Sequence, residues 1–251
     1  KIDNHKPLAN PNEVTQKTSG NFLGSLYWPK ITIAPRYLPS LGLLVGLAVY
    51  ESLRPFLDPY PPLTSPTPSK QNHHQDIEKN TAPIPPLPIA MTAPHPRLRL
   101  KWPNDLLLDG KKLAGILVEV LAPSTKNLKD MQHADRAVII GIGVNISSAP
   151  AGFAHLGVSA PTRLLAARMA HWLATHRPIW QTDGFAPFRS LFMARSFTKG
   201  QTISFSTNPQ QKTEGIYEDI TPDGSLRVVV AGQIHTIHQA DIEPPPLCPR
   251  S

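Results

Sequence analysis

At 251 residues with 40% hydrophobic content, the chain is long enough for one large and one small domain around a buried core, which excludes a fibrous or wholly disordered protein. A formal charge of +7 raises nucleic acid as a partner, because Lys and Arg that neutralise phosphates dominate such binding. The basic residues are scattered, however, and their two concentrations, Arg97-Arg99-Lys101 and Lys111-Lys112, flank one motif, so a small phosphate-bearing ligand is the better reading. The single cysteine, Cys248, cannot form an internal disulfide and points to a reducing, cytoplasmic compartment. The longest apolar run, Leu41 to Tyr50, is about half of the ~20 residues a membrane-spanning helix needs, so the expectation is a soluble protein without a membrane partner.

Residues 1–18 are polar and aperiodic and read as an irregular lead-in. Asn21 to Trp28 alternates as a strand does, and Leu41 to Leu53, apolar nearly all round, suits a helix buried in a core. A Pro-rich insertion covers about residues 55–96, with no apolar period that could support packing. Its His73-His74 pair lacks the fixed geometry of a metal site, and Pro83 to Pro88 reads as a solvated spacer. From Arg97 to Trp102 basic and apolar residues alternate, the pattern of a strand with one face in a core. Asp109-Gly110, between Leu106 to Leu108 and Leu113 to Val118, predicts a two-residue hairpin turn. Ala137 to Ile146 reads as a buried strand, Leu164 to His176 as a helix starting near Ser159 to Thr162, and Phe185 to Phe197 as a second helix. Four short strands follow, 201–206, 213–220, 225–230 and 233–238, joined by turns at Thr221-Pro222-Asp223-Gly224 and Ala231-Gly232, which suggests a small β-barrel.

The chemistry concentrates around the predicted hairpin. Pro103 forbids helix in front of it, so Asn104 and Asp105 stand at the mouth of a turn. Asn offers a donor and an acceptor to a purine or ribose edge, and Asp can hold a metal or a hydroxyl; both also serve in a plain Asx turn. Lys112, roughly across from Leu107, is placed to aim an ammonium into a pocket, where it would stabilise charge building on a phosphate or carboxylate oxygen; Lys111 is the solvated neighbour. Gly115, inside an apolar strand, marks close approach of a ligand or another backbone. Gly141-Ile142-Gly143 lacks the third glycine of a dinucleotide fingerprint and, with Asn145 behind it, reads as a flat floor with an amide at its edge.

In order and spacing, Lys101-Trp102-Pro103-Asn104-Asp105, Lys112-Leu113-Ala114-Gly115-Ile116-Leu117 and Gly141-Ile142-Gly143-Val144-Asn145 resemble the biotin protein ligase (biotin to acetyl-CoA carboxylase ligase) family. The resemblance extends to Gly20 to Leu53 and to Gly215, Asp219 and Asp223 to Leu226. It implies an α+β fold: a catalytic domain like that of class II aminoacyl-tRNA synthetases and lipoate ligases over residues 1–197, then an SH3-like barrel and tail over residues 198–251. The implied activity joins biotin to ATP, with Mg²⁺, to give biotinyl-5′-AMP, and then passes biotin to a lysine of a biotin carboxyl carrier protein. By the same resemblance Lys112 is the catalytic residue and binds biotin together with Gly115, while Lys101, Asn104, Asp105 and Asn145 line the ATP side. A homodimer is compatible with it, and with no helix-turn-helix in front a DNA-binding role is not. The family's Gly-Arg-rich loop, preceded by a Gln and a Ser-Thr biotin contact, has no counterpart in residues 1–18, which carry no arginine. The expectation is therefore either a chain whose N-terminal biotin-binding part lies outside this sequence or a non-catalytic homologue that keeps nucleotide or partner binding. Lipoate ligase shares the fold, but the Lys101 to Asp105 run favours biotin.

Overall fold

The computed structural model of the chain describes residues 21–31, 35–57, 93–121, 136–158, 160–208 and 211–243. The irregular lead-in, the His73-His74 pair, the Pro83 to Pro88 spacer and Cys248 lie outside the described residues. Five strands, β1 (Phe22–Ile31), β2 (Leu98–Lys101), β3 (Asp105–Leu108), β4 (Lys111–Val120) and β5 (Arg136–Val144), form an antiparallel sheet in the order β1-β5-β4-β3-β2. The predicted strands are all present with ends shifted by no more than three residues, as befits ends set by pairing.

The Asp109-Gly110 turn closes the β3–β4 hairpin with φ of 49° and 78°, the left-handed values a two-residue connection requires. Arg97 fixes its tip, donating from Nε to Asp109 Oδ1 at 3.1 Å and Oδ2 at 3.0 Å. Between Leu106 and Leu107 the register slips, so that Leu107 faces Lys112 while Leu106 faces Ala114. Leu113 is the extra residue of a β-bulge, and two consecutive side chains, Leu113 and Ala114, turn into the core. A regular strand would put Lys112 and Gly115 on opposite faces; the bulge puts them on the same one.

One face of this sheet is covered by α1 (Leu41–Leu53) and α2 (Thr162–Asp183). In α1 every residue but Gly42 and Glu51 is buried, the outcome its all-round apolar sequence dictates. Glu51 meets Arg195, itself 2% exposed, at 2.6 Å. The second helix runs to Asp183, seven residues past the predicted end at His176 and through Pro178. Its buried row Leu165, Met169, Trp172, Leu173, His176 and Trp180 continues unbroken, and Trp180 Nε1 donates to Ser40 Oγ at 2.9 Å, so packing outweighs the lost proline donor. The predicted helix from Phe185 to Phe197 is divided: a 3₁₀ turn at Ala186–Phe188 precedes α3 (Arg189–Arg195), with Pro187 in the first turn.

The second sheet contains β6 (Thr202–Asn208), β7 (Gln211–Ile220), β8 (Leu226–Val230), β9 (Gln233–Ile237) and β10 (Asp241–Glu243) in the order β10-β6-β7-β8-β9. The short strand β10 is additional to the four strands that the sequence predicts here. Among the described residues no ladder joins β10 to β9, so the expected closed barrel is not seen and the pairing is a linear antiparallel series. Asp219 is clamped between Arg189 and Arg227, whose guanidinium groups hold its carboxyl below the usual carboxylate range.

Candidate active site

The open face of the first sheet carries a continuous cross-strand row. Leu23 on β1 pairs with Gly143 on β5, Gly143 with Gly115 on β4, Gly115 with Asp105 on β3, and Asp105 with Lys101 on β2. Residues opposite one another in a ladder share a face. The row therefore runs from an exposed leucine across two side-chain-free positions to a carboxylate and an ammonium. A cavity of about 370 Å³ lies over its glycine part, lined among others by Phe22, Leu23, Lys112, Gly115, Gly143 and Asn145.

Lys112 enters this face through the bulge. Its ammonium stands 2.6 Å from Asp105 Oδ1, an ion pair at charge-assisted hydrogen-bond distance that uses one of three donors and leaves the others for a ligand. The Lys112 side chain is 43% exposed and that of Asp105 only 9%. A Cβ at position 115 would come within 3.2 Å of Lys112 Cε, 3.3 Å of its Nζ and 3.4 Å of Asp105 Oδ1. Gly115 thus leaves the space in which the lysine lies flat across the sheet. Lys101, 13% exposed, approaches the other carboxylate oxygen, Asp105 Oδ2, at 3.4 Å.

Loop residues 145–156 form the far wall. Asn145 Nδ2 donates to Ala154 O at 3.0 Å, and Ala154 N donates to Lys112 O at 2.9 Å, so the loop is tied to the lysine's own backbone. Asn21 Oδ1 accepts from Ile146 N at 2.9 Å and Ser147 N at 3.2 Å, anchoring the loop's start. Pro150 and the exposed Phe153 then close one side of the cavity.

Of the six residues singled out from the sequence, Lys112, Gly115 and Asn145 share the cavity. Lys101 and Asp105 lie beside it in the charge row. Asn104 does not line the cavity: its Nδ2 donates to Ile116 O at 2.8 Å and its backbone O accepts from Ile116 N at 2.9 Å, which holds the turn against β4. Sequence reasoning missed Asn21, Pro150 and Phe153. The alternation from Asn21 to Trp28 marks Asn21 only as a strand's first residue, and nothing local to the 146–156 stretch signals that it folds back over Lys112.

The sequence profile of the Biotin/lipoate A/B protein ligase family matches residues 13–145, more than half of the chain. The chain belongs to that family. It is 37% identical over 150 residues to a biotin–(acetyl-CoA-carboxylase) ligase of Paracoccus denitrificans, covering 53% of this chain and 57% of the relative. It is 32% identical over 151 residues to the enzyme of the same name from Mycobacterium tuberculosis, covering 57% and 52%. The chain thus matches a little over half the length of these relatives. In fold it is similar to the biotin protein ligase of Aquifex aeolicus, with a TM-score of 0.58, 16% identity and coverage of 89% of this chain and 82% of that one. The same Aquifex protein in complex with biotin and ATP gives a TM-score of 0.58 at 17% identity, covering 89% and 78%.

Proposed function

We propose that this chain carries the catalytic site of an ATP-dependent biotin protein ligase, which makes biotinyl-5′-AMP and transfers biotin to a lysine of a carboxyl carrier protein. The supporting observation is the row itself: an apolar end, a bare glycine floor and a charged end, with Lys112 held over the boundary. Such a surface suits an amphiphile with an apolar tail and a carboxylate, next to a nucleotide phosphate.

In this reading biotin's carboxylate oxygen attacks the α-phosphorus of ATP and pyrophosphate leaves. Lys112 neutralises the negative charge gathered where the carboxylate meets the α-phosphate, and Gly115 provides the floor that lets both approach. The acceptor lysine's amine then attacks the acyl carbon, AMP departs and the amine proton is lost. Lys101, Asp105 and Asn145 attend the nucleotide side; Asn104 serves by holding the turn. Mg²⁺ arriving with ATP would neutralise phosphate charge, and Asp105, the one carboxylate in the row, is the residue that would stand beside it. The reading carries residues 1–197 as the catalytic unit, 198–251 as an SH3-like unit and, since ATP is its substrate, a cytoplasmic location.

The test is incubation of the chain with biotin, Mg-ATP and a carrier domain, following pyrophosphate release and carrier mass. Biotin-dependent pyrophosphate and a biotinylated carrier are expected. Nucleotide binding without either product would make the chain a non-catalytic homologue, and preferential loading of lipoate would make it a lipoate ligase.

A further inference from the structure

Four consecutive residues leading into the Asn104 turn are each tied to the C-terminal part of the chain. Arg99 Nη1 donates to Ser196 O at 3.5 Å, and Ser196 Oγ donates to Leu100 O at 3.0 Å. Lys101 Nζ stands 3.3 Å from Asp241 Oδ1, and Trp102 Nε1 donates to Gly224 O at 2.9 Å. The last of these needs close fit: Trp102 is 2% exposed, and a Cβ on Gly224 would fall 2.7 Å from that of Ser40. The Lys101 contact differs in kind, because it joins the charge row to a carboxylate that is 85% exposed on the short strand β10.

The Lys101 ammonium lies between two carboxylates at nearly equal distance, 3.4 Å from Asp105 Oδ2 and 3.3 Å from Asp241 Oδ1. With Asp105 as its sole counter-ion it would settle onto that carboxylate, which Lys112 also uses. A second carboxylate on the outer side draws it off and leaves Asp105 Oδ1 to Lys112. We infer that Asp241 is a positioning residue: it acts from the second sheet, through Lys101, to fix where the ammonium on the nucleotide side of the row stands. The inference rests on the ligase reading for its consequence, namely binding of the ATP phosphates, but its geometry is testable without substrate.

Three variants decide it: Asp241→Ala, Asp241→Glu and Glu243→Gln. Glu243 lies on the same strand and pairs with Lys212, so its variant reports any general loosening of β10. Acetylation of Lys101 by acetic anhydride in the ligand-free chain, read by peptide mass, should run about threefold faster in Asp241→Ala, the scale set by an exposed ion pair. In the adenylation assay the same variant should raise KM for ATP by about fivefold with kcat within about twofold. Asp241→Glu should restore both values and Glu243→Gln should change neither. An unchanged Lys101 acetylation rate in Asp241→Ala overturns the inference, as does an equal effect of Glu243→Gln. A lowered KM also overturns it, because Asp241 would then compete with the nucleotide. Faster Lys101 acetylation together with no adenylation by any form, the unaltered chain included, upholds Asp241 as the residue that places Lys101 and overturns the ligase reading instead.

Discussion

On the face of the first sheet that meets α1 and α2, Leu98, Leu100, Ile116, Val138, Ile140 and Ile142 are each 3% exposed or less, whereas on the opposite face Leu23 is 54% and Leu117 59% exposed. The covered face is filled by side chains chosen for volume and shape. The bare face has had side chains removed, at Gly115 and Gly143, so that Lys112 can lie across it and a cavity can stand over it. One set of strands thus does two jobs, and substitutions on the two faces should fail in different ways: loss of fold on one, loss of chemistry without loss of fold on the other.

The largest expected effect belongs to the bare face. Lys112→Ala should lower biotin-dependent pyrophosphate release by about 10³-fold, the scale of removing one preorganised charge-stabilising group. Its thermal unfolding should stay close to that of the parent, because the side chain is 43% exposed. Release at the normal rate would remove Lys112 from the mechanism. On the covered side, Leu44→Ala in α1, a position 0% exposed, should cost about 3 kcal/mol in urea unfolding while the folded fraction keeps its KM values. If KM moves with stability, the two faces are coupled and the comparison fails.

Gly115→Ala sharpens the contrast. The added methyl meets the movable end of Lys112, so the fold should persist while the ammonium shifts and adenylation falls by about tenfold. An unaltered rate would show that Lys112 does not lie across position 115 during turnover.

The smallest effect is a pH dependence beneath the covered face. His176 is 1% exposed, stacks on Trp172 at 3.9 Å, and donates from Nδ1 to Trp172 O at 2.7 Å, which leaves Nε2 unprotonated and buried. Burial pushes its pKa below the ordinary imidazole value of 6.5, against the smaller upward pull of that hydrogen bond. The unfolded chain therefore binds the proton more readily, so the His176 contribution to stability is complete above pH 6.5 and is lost as pH falls below it toward the folded value. Unfolding temperatures measured from pH 8 to pH 5 should decline less steeply for His176→Phe than for the parent; parallel curves would refute this.

Local sequence determined much of this protein. The alternation from Arg97 to Trp102, the Asp109-Gly110 turn and the all-round apolar run of α1 each dictate one element, because a strand's two-residue period, a turn's positive φ and a helix's burial are properties of neighbouring residues. For the same reason the pairing of Lys112 with Leu107 could be read from the hairpin alone. The bulge at Leu113 could not, since its cause is the need of two adjacent side chains to reach one core. Nor could the continuation of α2 past Pro178, which depends on Trp180 finding Ser40, 140 positions away in sequence.

The candidate site divides the same way. Lys112, Gly115 and Asn145 were legible as residue types in a pattern, but that Asn104 spends its amide on Ile116, that Asn21 anchors the loop over the lysine, and that Asp241 reaches Lys101 are facts of long-range register and docking. Sequence by itself settled most of the strands and turns and where the charges lie along them, the short β10 excepted. Tertiary structure alone decided which of those charges meet, because a contact across five strands or between two sheets is set by packing that no window of neighbouring residues contains.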